Sequence, residues 1–129
     1  MNALVATFLL FFQLILSMPA LSCKLEGQWK SHKTKTLAEL YGTPNSNKEK
    51  LKLAKIYGKA IVHYSNCNKA TVNIDRYIEE YSFKIIEEKN NFVTIKYIPS
   101  GDMAILMFEG NCFKSPVKGM AFYEHFCRF

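Results

Sequence analysis

The sequence predicts an all-β fold, a small antiparallel β-barrel of seven or eight strands with two short helices between strands 1 and 2. Three observations lead there. Gly27-Gln28-Trp29-Lys30-Ser31 opens the first strand-like run, and Phe126-Cys127-Arg128-Phe129 closes the last. Short β-branched and aromatic runs recur from Lys59 onward, divided by turn residues. Helix signals stop at Gly58. A Trp and an Arg from the two ends of a barrel sheet can seal one end of it. The indole fills the cross-section, and the guanidinium stacks on its face while its donors stay free for other partners.

The chain of 129 residues has room for one domain. Residues 1–22 carry no charge and hold an apolar run, Pro19 and the small-x-small triplet Ala20-Leu21-Ser22. That pattern reads as a secretory signal peptide cleaved before Cys23, leaving residues 23–129 as the barrel domain. The run is short for a bilayer span. All four cysteines, Cys23, Cys67, Cys112 and Cys127, fall in that domain. An even count in an exported chain argues for two disulfides, and four cysteines allow three pairings. If strands 1 and 2 are antiparallel, Cys23 lies beside Cys67 and Cys112 is left for Cys127. The competing reading is a lipoprotein acylated at Cys23. It is the weaker one, because Ala20 stands where a bulky aliphatic residue is usual and three cysteines would remain. The expected location is therefore periplasmic or secreted.

Strand 1 is expected over about Leu25–His32. Thr36-Leu37-Ala38-Glu39 then reads as a capping box for a helix ended by Gly42 and Pro44. Ser46-Asn47-Lys48-Glu49 reads as a second box, with Gly58 as its stop. In this second helix Leu53, Ala54, Ile56 and Tyr57 share a side expected to face the barrel, and Lys48, Lys52 and Lys55 share a solvent side. Strands follow at Lys59–Ser65, Ala70–Asp75, Glu80–Glu87, Phe92–Ile98, Met103–Phe108, around Cys112-Phe113, and Met120–Phe129. Tyr81, Phe83 and Ile85 alternate onto one face, as do Val93, Ile95 and Tyr97.

Gly27-x-Trp29-x-Ser31, the helical insertion, Phe108-Glu109-Gly110-x-Cys112-Phe113 and Tyr123-Glu124-x-Phe126-Cys127-Arg128 together resemble small exported bacterial lipocalin-like proteins of the calycin group. The resemblance spans nearly all of residues 23–129. It implies a barrel closed by Gly27, Trp29 and Arg128 that binds a small hydrophobic molecule. The chain departs from that group's pattern in its shortness, in helices placed after strand 1, and in lacking a long C-terminal helix.

The candidate sites follow from the same pattern. A barrel of eight strands is just wide enough to be filled by side chains or to hold one small ligand. Tyr64, Tyr81, Phe83, Tyr97 and Met107 are expected to line an apolar pocket near the mouth. Glu124 shares a face with Phe122, Phe126 and Arg128; if that face looks inward the carboxylate must pair in an internal salt bridge or anchor a ligand's polar head, and otherwise it is solvated. His32, His63 and His125 sit on separate strands, and His63 could meet His125 on closure. No Cys-x-x-Cys, His-Glu-x-x-His, nucleophile elbow or phosphate loop occurs. The expectation is a non-enzyme with no metal and no cofactor.

The net charge of +6 lies wholly in residues 24–59, where nine lysines face Glu26, Glu39 and Glu49. A basic helix of this kind suits an acidic protein partner or an anionic envelope surface. That gives the competing function, a solid barrel that acts as an interaction or inhibitor module. Nucleic acid is not an expected partner, with only Arg76 and Arg128 as arginines. A monomer is expected.

Overall fold

A computed structural model describes residues 22–129; the expected signal peptide, save Ser22, lies outside them. Eight strands close into a barrel in sequence order: β1 Gly27–Ser31, β2 Ile61–Ser65, β3 Lys69–Ile74, β4 Tyr77–Glu88, β5 Phe92–Ile98, β6 Met103–Glu109, β7 Cys112–Pro116 and β8 Tyr123–Arg128. Every neighbouring pair is antiparallel, and β8 returns to β1 through Trp29↔Arg128, Lys30↔Cys127 and Ser31↔Phe126. Closure leaves no sheet edge.

One end of this barrel is sealed. The chain ahead of β1 crosses it, with Leu25 fully buried. The Trp29 indole Nε1 donates to the Leu25 carbonyl at 2.7 Å, so its one polar group is satisfied while the ring fills the barrel. Edge-on contacts to Phe113 and Phe108, at 4.8 and 5.9 Å between centroids, fix the ring's plane. The Arg128 guanidinium lies 4.1 Å over the indole and donates to the Glu26 and Lys24 carbonyls at 2.8 and 2.9 Å. Gly27 makes this possible. Its φ is +108°, and a Cβ there would stand 2.8 Å from Arg128 Nη1.

Both disulfides clasp the same end, with the pairing the antiparallel argument favoured: Cys23–Cys67 and Cys112–Cys127. Glu26 adds a third tie, accepting the backbone N–H groups of Asn66 and Cys67 at 3.1 Å each. Those two residues have φ of +56° and +55°, a conformation disfavoured for side chains with a Cβ and held here by the carboxylate. Above the seal, Phe83, Val93, Leu106, Phe113 and Phe126 pack as a continuous core.

The helices differ from expectation. α1 spans Lys33–Tyr41, starting before the Thr36 box. The cap is His32, whose Nδ1 accepts the Lys35 N–H at 3.2 Å. Thr36 lies a turn inside, fully buried, and its hydroxyl accepts the His125 N–H at 3.0 Å. A tertiary contact to β8 has taken the hydroxyl that local patterning assigned to the cap. α2 spans Asn47–Ala54 and is capped by Ser46, as its box predicts, with Oγ accepting from Glu49 N–H at 3.2 Å. It ends at Ala54, short of Gly58. None of its residues is buried: it leans on α1, through Lys50 Nζ to the Tyr41 carbonyl at 3.0 Å, and not on the barrel. Tyr57, beyond its end, makes the inward contact, edge-on to Phe122 at 5.2 Å.

Replacing Arg128 by Ala removes the stacked cation and two charge-assisted bonds to the crossing segment. We expect a loss of about 1–2 kcal/mol in chemical denaturation, with the native fold retained.

Candidate functional site

The sealed end leaves the other end of the barrel as the place where a ligand could enter. Residues alternate across each strand, so the inward set is fixed once one buried member is known. On β3, buried Ala70 places Val72 and Ile74 inside; on β4, buried Phe83 places Tyr81, Glu79 and Tyr77 on the same face. The register Val72↔Glu79 and Ile74↔Tyr77 puts these four side by side at the open end. With Lys55 and Ile56, just after α2, they wall a groove of about 350 Å³. Its surface is apolar along Ile56, Val72, Ile74 and Tyr77, with Lys55, Asp75 and Glu79 as its charged groups. Asp75 is paired with Lys59 at 3.8 Å.

The inner face also carries polar groups outside the lining of the groove. Glu124 Oε2 accepts from the Ser31 hydroxyl at 2.9 Å and from the Gly58 N–H at 3.3 Å. Burial pushes the Glu124 carboxyl above its usual range, and these two hydrogen bonds oppose that shift. Tyr64 reaches the same space. Burial, then Tyr97 and Glu124, push its phenol up; Tyr57 is raised by burial and Glu124, and Tyr97 by burial. Tyr81 donates to Glu79 and is raised to about 12, chiefly by that bond. The Tyr81 and Tyr97 rings meet edge-on at 6.2 Å.

The residues expected to line the pocket therefore separate. Tyr81 and Tyr97 stand on the upper inner wall, and Glu124 faces inward near them. Tyr64 sits lower, its ring against Phe83 at 5.7 Å. Phe83 is solid core, 2% exposed, so its truncation would report on stability and not on binding. Met107 departs from the expectation: it lies on the outer face of β6 and is 45% exposed, because its neighbours Leu106 and Phe108 take the inward positions. Val72, Ile74, Tyr77 and Glu79 are not singled out by sequence, whereas Ile56 is expected to face the barrel as part of the second helix and walls the groove just beyond that helix's end. The β-branched run at Ala70–Asp75 carried the only signal for two of them, and the strand start at Tyr77 had none.

The lysines Lys48, Lys52 and Lys55 are all exposed. His63 and His125 do not meet: His63 pairs with Gln28 and Thr71, and His125 with Lys114. His125 instead lies outside the barrel, with Nε2 3.1 Å from Glu39 Oε1, beside a shallow groove under α1. The one grouping with metal-ligand spacing among the described residues is Cys23, Glu26 and Cys67, and its two sulfurs are bonded to each other.

No family model matches the chain, and neither the characterised proteins nor the solved structures searched contain a match.

The raised Glu124 pKa has a stability consequence. A carboxyl that binds its proton more tightly when folded adds stability at acidic pH and loses it as pH rises through the folded value. Glu124→Gln keeps an acceptor for Ser31 and Gly58 but no charge. We expect its thermal unfolding to show a shallower decline than wild type between mildly acidic and neutral pH, and a neutral-pH midpoint no lower than wild type's.

Proposed function

We propose that this chain is a non-catalytic binding protein of lipocalin-like type that holds a small lipophilic molecule in the open half of the barrel. The observation that carries the reading is the groove of about 350 Å³ on the inner faces of β3 and β4, walled by Ile56, Val72, Ile74 and Tyr77. Binding sites of this kind are concave, mainly apolar and furnished with a few placed polar groups. Glu79, Glu124 and the tyrosine hydroxyls are such groups. The lower half, packed by large rings, has no comparable role in this reading and serves as its foundation.

Four paired cysteines, with none free among the described residues, accord with folding in an oxidising environment. Export to the periplasm or the exterior is the corresponding part of the proposal. A second reading rests on α2, which has no fully buried residue and, with the Lys55 that follows it, presents Lys48, Lys52 and Lys55 to solvent, none of them in an ion pair among the described residues. Such a face could dock on an acidic protein or an anionic surface.

The test is direct. Titration calorimetry with octanol should give saturable, one-to-one binding, and Ile74→Trp, which fills the groove, should weaken it at least about tenfold with near-ultraviolet dichroism unchanged. Absence of octanol binding, together with loss of vesicle binding in the triple variant Lys48→Glu, Lys52→Glu, Lys55→Glu, would favour the second reading.

A further inference from the structure

The upper lumen has a polarity that a plain lipid carrier does not need. Glu124 is turned into the barrel and has no cationic partner among the described residues. Only Oε2 is engaged, by Ser31 and Gly58; Oε1 accepts no hydrogen bond from the described residues. An inward carboxylate without a counter-ion is costly unless something polar meets it.

A second, independent group points into the same space. Tyr64 is 7% exposed, and its hydroxyl has no hydrogen-bond partner among the described residues. That hydroxyl is nonetheless not sealed away, since no buried side-chain N or O atom among the described residues lacks a partner. The Tyr64 ring itself belongs to the packed core, so only its oxygen is available to a partner from above. Val62 stands between the two levels, two residues above Tyr64 on the same face of β2 and paired with Val72 of the groove. Above this lie the rings of Tyr97 and Tyr81, edge-on to each other. An unpaired carboxylate, free phenol oxygens and aromatic walls under an apolar groove are the features that receive an organic cation.

We propose that the upper lumen binds a small alkylammonium-type cation, its head against Glu124 and the Tyr64 and Tyr97 hydroxyls and its short apolar tail along Ile56, Val72 and Ile74. This rests on the reading of the open half as the binding site and adds the charge of the ligand. The surrounding charges leave the head-group position to a ligand. Lys33, whose stem lies against Gly58, and Lys55 on the rim make no ion pair with Glu124; Lys59 is held by Asp75; His125 faces outward against Glu39. Glu79, engaged by Tyr81, adds a second acidic group near the entrance.

The experiment compares three probes of one length by titration calorimetry: octylammonium, octanol and octanoate. At neutral pH octylammonium should bind at least about tenfold more tightly than octanol, and octanoate most weakly. Glu124→Gln should remove the preference for the amine while octanol binding persists. With the wild type alone, amine affinity should fall as pH drops through the Glu124 titration while octanol affinity stays level, a readout that needs no variant to fold. Octanol binding with no preference for the amine would overturn the cation proposal and leave the lumen reading standing. An amine preference that survives both Glu124→Gln and acid would likewise remove Glu124 from the role. Failure of all three probes to bind would sink both.

Discussion

The barrel depends on how its base is closed. A ring of eight short strands leaves an aperture at each end, and an aperture above an apolar core admits water. Trp29 fills the lower one, and the fit requires three things at once: a partner for the indole N–H, a lid over its outer face, and room for that lid. Leu25 carbonyl, the Arg128 guanidinium and the missing side chain of Gly27 supply them. Because Arg128 also holds the carbonyls of Lys24 and Glu26, the last strand fastens the segment that precedes the first. The two disulfides and the Glu26 carboxylate tighten this end further.

Sealing one end determines what the other can do. With Trp29, Phe83, Phe113 and Phe126 filling the lower half, rigidity does not have to come from the mouth. There the inner face carries smaller or polar residues, among them Ala60, Val62, Ala104, Ser31 and Glu124. The helices cover only part of it. α1 is bonded to β8 through Thr36, and Tyr57 packs on Phe122, while β3 and β4 meet only Lys55 and Ile56 across the groove. A dry, rigid base under an open polar mouth is the architecture on which the proposed binding function rests.

Much of the fold was legible because strand alternation is a strong local signal. Val93, Ile95 and Tyr97 announce their face, and the antiparallel start of the sheet gives Cys23–Cys67 and leaves Cys112–Cys127. Errors arose where a local pattern met a tertiary demand. Thr36 has the composition of a cap but spends its hydroxyl on His125 N–H, so His32 caps the helix. Met103–Phe108 is apolar at every position, so hydropathy cannot say which face is inward; pairing Val93 with Leu106 decides it and turns Met107 out. The groove was missed because β4 begins at Tyr77, in the stretch Asp75-Arg76-Tyr77-Ile78-Glu79-Glu80, where charged and apolar residues come in pairs and give no two-residue alternation. Glu124 was legible as an inward carboxylate from its parity with Phe126, but its partners, Ser31 and Gly58, lie far away in sequence.

Trp29 is the only tryptophan in the chain, so its emission reports on the closed end alone. Acrylamide quenching of the native, oxidised protein is therefore the most direct measurement. The structure places the indole at 2% exposure, and the account predicts blue-shifted emission and little quenching until the protein unfolds. Red-shifted emission with full quenching of the native state would mean an open base, and would contradict both the closure and the division of the barrel into a sealed and an open half.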